Sequence, residues 1–403
     1  MISERIRLEG EVLSNQRLNR IAEILHEHGV RVQVTFLRLG EPSVAELHLE
    51  ASTPDQLDKA LLECEPLSPV YSRAQAQLAV ADMDGVLPED FHSTTNFPTY
   101  VQIDSNWIPV ERLEMDCGIK VWQEGGKWRA ITCPMHRVKA GDSLVVGMDG
   151  VRVTTETELG DEADAFRFMS SDVSSERPKA RMIEECAEAM RHAKSQGKDV
   201  LLVGGPAIIH SGCAEVLAAL IRSKWITVLF AGNALAAHDI EASMMGTSLG
   251  VQLATGMSLH HGHTHHLRAI NRVRRVGSIR AAVEAGIIPG GAMHACITSG
   301  TPYVLAGSIR DDGPLPDVIT DVVKATDAMR ENVQNVGVAL MVATTLHSVA
   351  TGNIIPAAVV TYCVDSDADT VIKLTDRGTH QAIGIVTDCE FFMKELARTL
   401  GVI

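Results

Sequence analysis

Five short runs in the second half of the chain constrain its fold more than any other feature. They are Val200 to Val203, Ile226 to Phe230, Tyr303 to Ala306, Val336 to Val342 and Ala358 to Cys363, each predominantly apolar along its whole length. Such runs are short for buried helices and lack the in-out alternation of a strand with one wet face. They fit strands of a parallel sheet covered by helices on both sides, and amphipathic helical segments do alternate with them. Directly after the runs come Gly204-Gly205-Pro206, Gly232-Asn233, Gly307-Ser308, Thr344-Thr345 and Asp365-Ser366. Ligands of open α/β sheets bind beyond the carboxyl ends of the strands, so these five loops are expected to share one edge and form a site.

The bulk numbers narrow the function. The chain has 403 residues, 45% of them hydrophobic and 22% charged, enough for a large core and two or three domains. A formal charge of -15 argues against nucleic acid or an anionic membrane as partner, because both require a basic surface. The eight cysteines (64, 117, 133, 186, 213, 296, 363 and 389) form no C-x-x-C unit, so neither a zinc knuckle nor a disulfide framework is expected. Reduced thiols, a charged stretch from Met1 to Glu11 without a signal-peptide core, and no apolar run near the roughly 18 residues of a membrane span together suggest a cytoplasmic protein.

The first part of the chain has a different texture. Leu18, Ile21, Ala22 and Leu25 mark an amphipathic helix ended by Gly29; Val32, Val34 and Phe36, then Ala45, Leu47 and Leu49, alternate as strands. Thr53, Pro54 and Gln56 make a capping box with proline at the first helical position. The order βαββαβ predicts a ferredoxin-like split-βαβ domain over residues 1–95. Turn signals at Asp104-Ser105-Asn106, Glu124-Gly125-Gly126 and Asp149-Gly150 divide residues 96–155 into short strands of a small all-β module. Residues 156–179, polar and rich in Ser, Asp and Glu, read as a linker to an α/β domain over 180–403.

Within that domain, Leu305 to Asp317 stands out, with one arginine, three carboxylates, two glycines and two prolines on the end of a buried strand. Arg310 can bind a ligand carboxylate there, or lock the loop through Asp311, Asp312 or Asp317. Asn233 suits either a helix N-cap or a cleft contact. His238 and Asp239, in the first turns of the same helix, can form a proton-transfer pair or hold a substrate ammonium. Gly204-Gly205-Pro206 resembles a phosphate-binding turn without G-x-G-x-x-G spacing, and a tight packing turn is the alternative. Histidines 260, 261, 263, 265 and 266 cluster, yet no H-E-x-x-H spacing accompanies them; a polar loop at a subunit contact or over the active site is favoured over a metal site. Asp365 sits where an acid can bond a ribose hydroxyl, and Lys373 to Gly378 with Gly384 to Asp388 give a second polar segment. Met115-Asp116 stabilises a turn or reaches toward a cleft.

Several segments resemble one family: Gly232 to Leu235 with His238 to Glu241, Gly262-His263 with His266 and Arg268 to Asn271, Leu305 to Asp317, Leu346-His347-Ser348 with Gly352-Asn353, and Lys373 to Gly378. These are similar to NAD-containing ornithine cyclodeaminases, found alone or as the C-terminal part of bifunctional arginine dihydrolase/ornithine cyclodeaminases. Residues 1 to about 155 resemble the region once shared by annotation with lysine-oxoglutarate reductase/saccharopine dehydrogenase. The resemblance implies a Rossmann-like sheet of the deoxyhypusine-synthase-like NAD-binding type. It also implies conversion of ornithine to proline and ammonia by redox-neutral hydride transfer to and from NAD. With no dihydrolase module before Met1, arginine hydrolysis is not expected.

On that basis Arg310 is assigned to the substrate carboxylate, Asp311 or Asp312 to an amine, and Asp239 with His238 to proton transfer. Cofactor contacts are assigned to Gly232, Asn233, Gly307, Ser308, Thr344, His347, Asn353, Asp365, Lys373 and Asp388, and no metal ligand is assigned. An NAD-dependent dehydrogenase or cyclodeaminase of another amino acid, and a non-catalytic NAD and amino-acid sensor, remain alternatives. A homodimer or homotetramer is expected.

Overall fold

The computed structural model describes residues 2–10, 17–38, 43–64, 71–72, 75–104, 106–154, 179–248, 251–252, 265–311, 313–377 and 382–403. Asp312, His260, His261, His263 and nearly all of the expected linker lie outside them. The chain divides into two compact units, Met1–Leu159 and Gly160–Ile403.

In the first unit, strand Ile2–Gly10, helix Arg17–Glu27, strands Arg31–Arg38 and Ser43–Ala51, helix Pro54–Cys64 and strand Tyr71–Ser72 follow the expected βαββαβ order. The third strand lies antiparallel between the first two, and the fourth pairs with the first on its other side, which is the split-βαβ arrangement. Gly29 ends the first helix at φ 72°, and Ile21 and Leu25 face the core. The second helix opens on the expected cap: Thr53 Oγ1 accepts from Gln56 N at 3.2 Å, while Gln56 Oε1 accepts from Ser52 N at 2.9 Å.

Alternation misled at one place. Val34 and Phe36 are about half exposed, because Arg31–Arg38 is the edge strand and carries a register shift between them. The strands of 77–154 continue the sheet, since Val151–Thr154 pairs with both Ile2–Gly10 and Thr99–Ile103. Arg152 bonds Glu4 at 2.7 Å and Asp58 at 3.0 Å and lies over Trp107, tying the two parts of this unit together. Met115-Asp116 is a turn, with Asp116 at φ 59° and its amide on Thr94 O.

The second unit is a six-stranded sheet in which every pairing is parallel. Its strands in chain order are Asp199–Gly204, Val228–Gly232, Tyr303–Ala306, Val336–Val342, Val360–Asp365 and Ala382–Val386. Their spatial order is 3-2-1-4-5-6, the doubly wound dinucleotide-binding order. Side chains alternate between two cores. Val200, Leu202, Leu229, Ala231, Leu305, Val338, Leu340 and Val364 pack on one face, and Leu201, Val203, Val228, Phe230, Val304, Ala339, Met341 and Cys363 on the other. Burial on both faces is what made the runs apolar throughout. The sixth strand, Ala-Ile-Gly-Ile-Val, falls in the polar, glycine-bearing segment of the sequence and is not one of the five apolar runs; it is short, has a central glycine and ends at polar Thr387-Asp388. No helix among the described residues is long and apolar enough to cross a membrane.

Candidate functional site at the carboxyl edge of the parallel sheet

Because all six strands run the same way, the loops after residues 204, 232, 306, 342 and 365 emerge on one edge. The strand order reverses between the first and fourth strands, and the two turns there touch. Gly205 N donates to Val342 O at 2.9 Å, and a Cβ at Gly205 would run into the Ala343 carbonyl oxygen. The Gly205 amide is thus spent on the neighbouring strand, so this is a packing turn rather than a phosphate cradle. Ala343 takes φ 52°, an unusual conformation for a residue with a side chain, and its amide bonds Val364 O at 2.9 Å.

Next to this junction two helices begin without a side-chain cap: Asn233–Met245, whose N-cap is Gly232, and Leu346–Ile354, whose N-cap is Thr345. Their first amides suit an anion. Of the two readings open for Asn233, the N-cap is not the one that forms. As the first helical residue, it turns its side-chain carbonyl to Leu315, accepting that amide at 3.0 Å and pinning the loop after the third strand. Gly307 closes the loop's base through its amide on Ile319 O at 2.9 Å. Asp311 Oδ2 accepts from Ser308 N at 2.8 Å and forms a tight turn. Asp317 is locked by Tyr303 Oη at 3.0 Å and Ile279 N at 2.8 Å. Arg310 stays exposed and makes no ion pair with Asp311 or Asp317; Asp312, the third partner considered for a loop lock, lies outside the described residues. Ile309 beside it is fully exposed.

His347 joins these pieces. Its ring lies against Gly232, where an added Cβ would meet Cε1 at 3.0 Å, and it bonds the Ala306 carbonyl. Burial lowers its pKa, with the Ala306 bond and the Asp311 charge opposing that shift. Gly232, Gly307, Asp311 and His347 are therefore brought together, with Thr344 at the adjoining switch point. Asp365 ends the fifth strand, its Oδ1 accepting from Asp367 N at 3.0 Å.

Three other candidates lie along helices or cap them. Asn353 sits near the far end of the helix that carries His347. Lys373 is exposed on helix Ala368–Arg377. Asp388 caps helix Cys389–Thr399, with Oδ1 accepting from Glu390 N and Phe391 N.

The expected His238–Asp239 pair does not form. Asp239 is fully buried and accepts the Ala292 and Met293 amides, each at 2.8 Å, at the start of helix Gly291–Ser299. Ser243 and Glu215 take the preceding amides of Gly290 and Gly291. Burial raises the Asp239 pKa to about 7, against the lowering effect of the two amide bonds. His238 instead pairs with Glu241: Nδ1 lies 2.9 Å from Oε2, and Thr247 Oγ1 donates to Glu241 Oε1 at 2.9 Å. Glu241 is named in the sequence only within the family-like segment and is given no role there, although the i, i+3 spacing from His238 on one helix is its signal. No group of three or more His, Cys, Asp or Glu among the described residues could hold a metal ion.

An all-parallel sheet in this order, with small-residue loops gathered at its switch point, defines a Rossmann-type α/β protein. Residues 184–396 match the family described as "Arginine dihydrolase ArgZ-like, C-terminal, Rossmann fold", residues 98–183 its first C-terminal region, and residues 3–97 the "LOR/SDH bifunctional enzyme conserved region". A Methanothermobacter thermautotrophicus protein named ornithine cyclodeaminase is 44% identical over 98% of this chain and 96% of its own length. A crystal structure of a conserved LOR/SDH protein from Methanococcus maripaludis S2 aligns with a TM-score of 0.76 and 46% identity, covering 81% of this chain and 98% of that one. The ternary complex of AgrE with ornithine and NAD+ aligns with a TM-score of 0.54 and 36% identity, over 99% of this chain and 58% of that one. The chain belongs to this ArgZ-like family, whose full-length relatives include proteins named ornithine cyclodeaminase.

Proposed function

We propose that the chain is an ornithine cyclodeaminase that converts L-ornithine to L-proline and ammonia with NAD held at the carboxyl edge of the parallel sheet. The observation that carries this reading is the meeting of Gly232, Asp311 and His347 beside the switch point of a 3-2-1-4-5-6 sheet. Support comes from full-length relatives that bear the enzyme's name and from a homologous structure that holds both ornithine and NAD+.

The donor set fits a dinucleotide. Two helix N-termini without side-chain caps would offer amides to the diphosphate, and Asp365, at the end of the fifth strand, would hold a ribose hydroxyl. Thr344, His347 and Ser308 complete the contacts along that edge. Bound NAD supplies a hydride acceptor and donor, so the conversion is redox-neutral overall. Arg310, exposed at the loop tip and without an ion pair to a described residue, would hold the substrate carboxylate. Asp311 and Asp312 would draw a substrate ammonium to the same loop. His347, kept neutral by burial, would face the cofactor as a hydrogen-bonding wall rather than a charge.

The reading is tested by mass spectrometry of the purified protein for retained NAD, followed by incubation with ornithine. Proline and ammonia in equal amounts, without net NADH, are the expected products. Net NADH would instead indicate a dehydrogenase, and binding without turnover a sensor.

A further inference from the structure

Helix Asn233–Met245 carries a buried polar assembly that the cofactor edge does not use. Glu241 is fully buried, and its two oxygens face His238 Nδ1 and Thr247 Oγ1. The His238 ring lies 4.7 Å from His210 and 5.7 Å from His266, centroid to centroid. His210 Nδ1 continues to Ser248 Oγ at 2.7 Å, and Thr247 Oγ1 to His265 Nδ1 at 2.9 Å. His266 Nδ1 is buried with no hydrogen-bond partner among the described residues. His238 and Glu241 are buried and the other three imidazoles half-buried; desolvating such a group is costly, and packing alone gives no reason to keep it. Asp239, one residue from His238, faces away to Ala292 and Met293, so the two faces of the helix have separate roles.

The assembly is also close to the edge where substrate would bind. His210 ends the short helix Ala207–His210 that follows the Gly204-Gly205-Pro206 turn. His238 lies six residues beyond Gly232, about 9 Å along the helix axis. Imidazoles on the helices that follow the first and second strands therefore meet, with their rings tilted by 60°, near the switch point.

We propose that His238, held by Glu241, is the acid–base group of the reaction, with His210 and Ser248 as the path by which its proton is exchanged. The inference rests on the cyclodeaminase reading and deepens it. Glu241 fixes the proton on Nδ1 and leaves Nε2 as the basic nitrogen, so Glu241 is a positioning residue. After the substrate α-carbon has given up its hydride and become an imine, one N–H bond of the δ-ammonium breaks and its nitrogen forms the ring C–N bond; a second N–H bond of that nitrogen breaks as the C–N bond to the departing nitrogen does, which leaves as ammonia. Of the two protons released by the ring nitrogen, His238 Nε2 passes one to the departing nitrogen, and the other leaves along His210 and Ser248 and is recovered when the reduced ring nitrogen is protonated, so the protons balance with the hydride acceptor of the proposed function as the only other reactant.

The experiment compares wild type, His238→Gln and Glu241→Gln, each checked for retained NAD by mass spectrometry and for ornithine affinity by calorimetry. His238→Gln should lower kcat by about a hundredfold or more with NAD content and ornithine affinity kept. Glu241→Gln should lower it less and move the acid limb of the kcat profile to lower pH. Nitrogen NMR of labelled histidine in the wild type should show His238 in the Nδ1–H form and responsive to ornithine; this measurement decides the matter if His238→Gln does not fold. An Nε2–H tautomer, or an unimpaired kcat in His238→Gln, overturns the assignment. Wild type that forms no proline from ornithine would sink the cyclodeaminase reading itself, whereas an active wild type with an equally active His238→Gln sinks only the dyad.

Discussion

Asn233 Oδ1 and the Leu315 amide are 3.0 Å apart across 82 residues of chain, and this bond couples the helix after the second strand to the loop after the third. Leu315 is buried beneath that loop. Asn233→Ala leaves a buried N–H without a partner, a cost of about 1–3 kcal/mol. Loss of midpoint stability in urea should be accompanied by faster amide exchange at Leu315 and by release of NAD on gel filtration. If exchange at Leu315 does not change, the bond does not hold the loop.

The switch point admits no side chain at residue 205. Gly205→Ala places a methyl group against the Ala343 carbonyl, and backbone cannot swing aside as a flexible side chain would. A loss of about 3 kcal/mol or more is expected, on the scale of severe overpacking, together with loss of retained NAD, because the Thr344 turn must move. Wild-type thermal stability in this variant would show that the two turns are not in contact.

Asp239 predicts a pH dependence of stability. Its folded pKa of about 7 exceeds the ordinary 3.8, so the folded state keeps a proton there that the unfolded chain has lost. The stabilisation is complete below about pH 4 and is lost as pH rises through about 7. Asp239→Asn, which cannot ionise, removes that share of the slope. Urea titrations of both proteins from pH 4 to 8 should therefore converge or diverge across this window, whereas parallel curves would contradict the assignment. Turnover should survive the substitution, since both carboxylate oxygens serve the helix at Gly291.

The sheet was legible because parallel strands are buried on both faces, and five of the six declare themselves as apolar runs ending in small-residue loops. The sixth, Ala382–Val386, was hidden by Gly384 and its short length. The split-βαβ order was readable from Gly29 and the Thr53–Gln56 box, since these signals are local. Tertiary partners were not. Asp239 looked like a cleft acid because sequence does not reveal that Gly290-Gly291, 51 residues on, bring a helix N-terminus to it; Gly291 at φ 86° leaves no space for a Cβ beside that carboxylate. Asp388, expected among the cofactor contacts, caps a helix, a role that Asp at the end of a strand fills equally well.

Arg310 separates binding from stability most cleanly. Its guanidinium is exposed and makes no ion pair with a described residue, so Arg310→Ala should alter stability by no more than about 0.5 kcal/mol. A charge-assisted bond to the substrate carboxylate contributes about 1.5–3 kcal/mol, which corresponds to a rise in KM for ornithine of roughly tenfold to a hundredfold. Arg310→Lys should recover only part of this, because an ammonium cannot make the paired contact of a guanidinium. Steady-state kinetics of the two variants, alongside their melting curves, provides the check. A normal KM in Arg310→Ala would move carboxylate recognition away from the 307–315 loop, leaving that loop its structural tie to Asn233 alone.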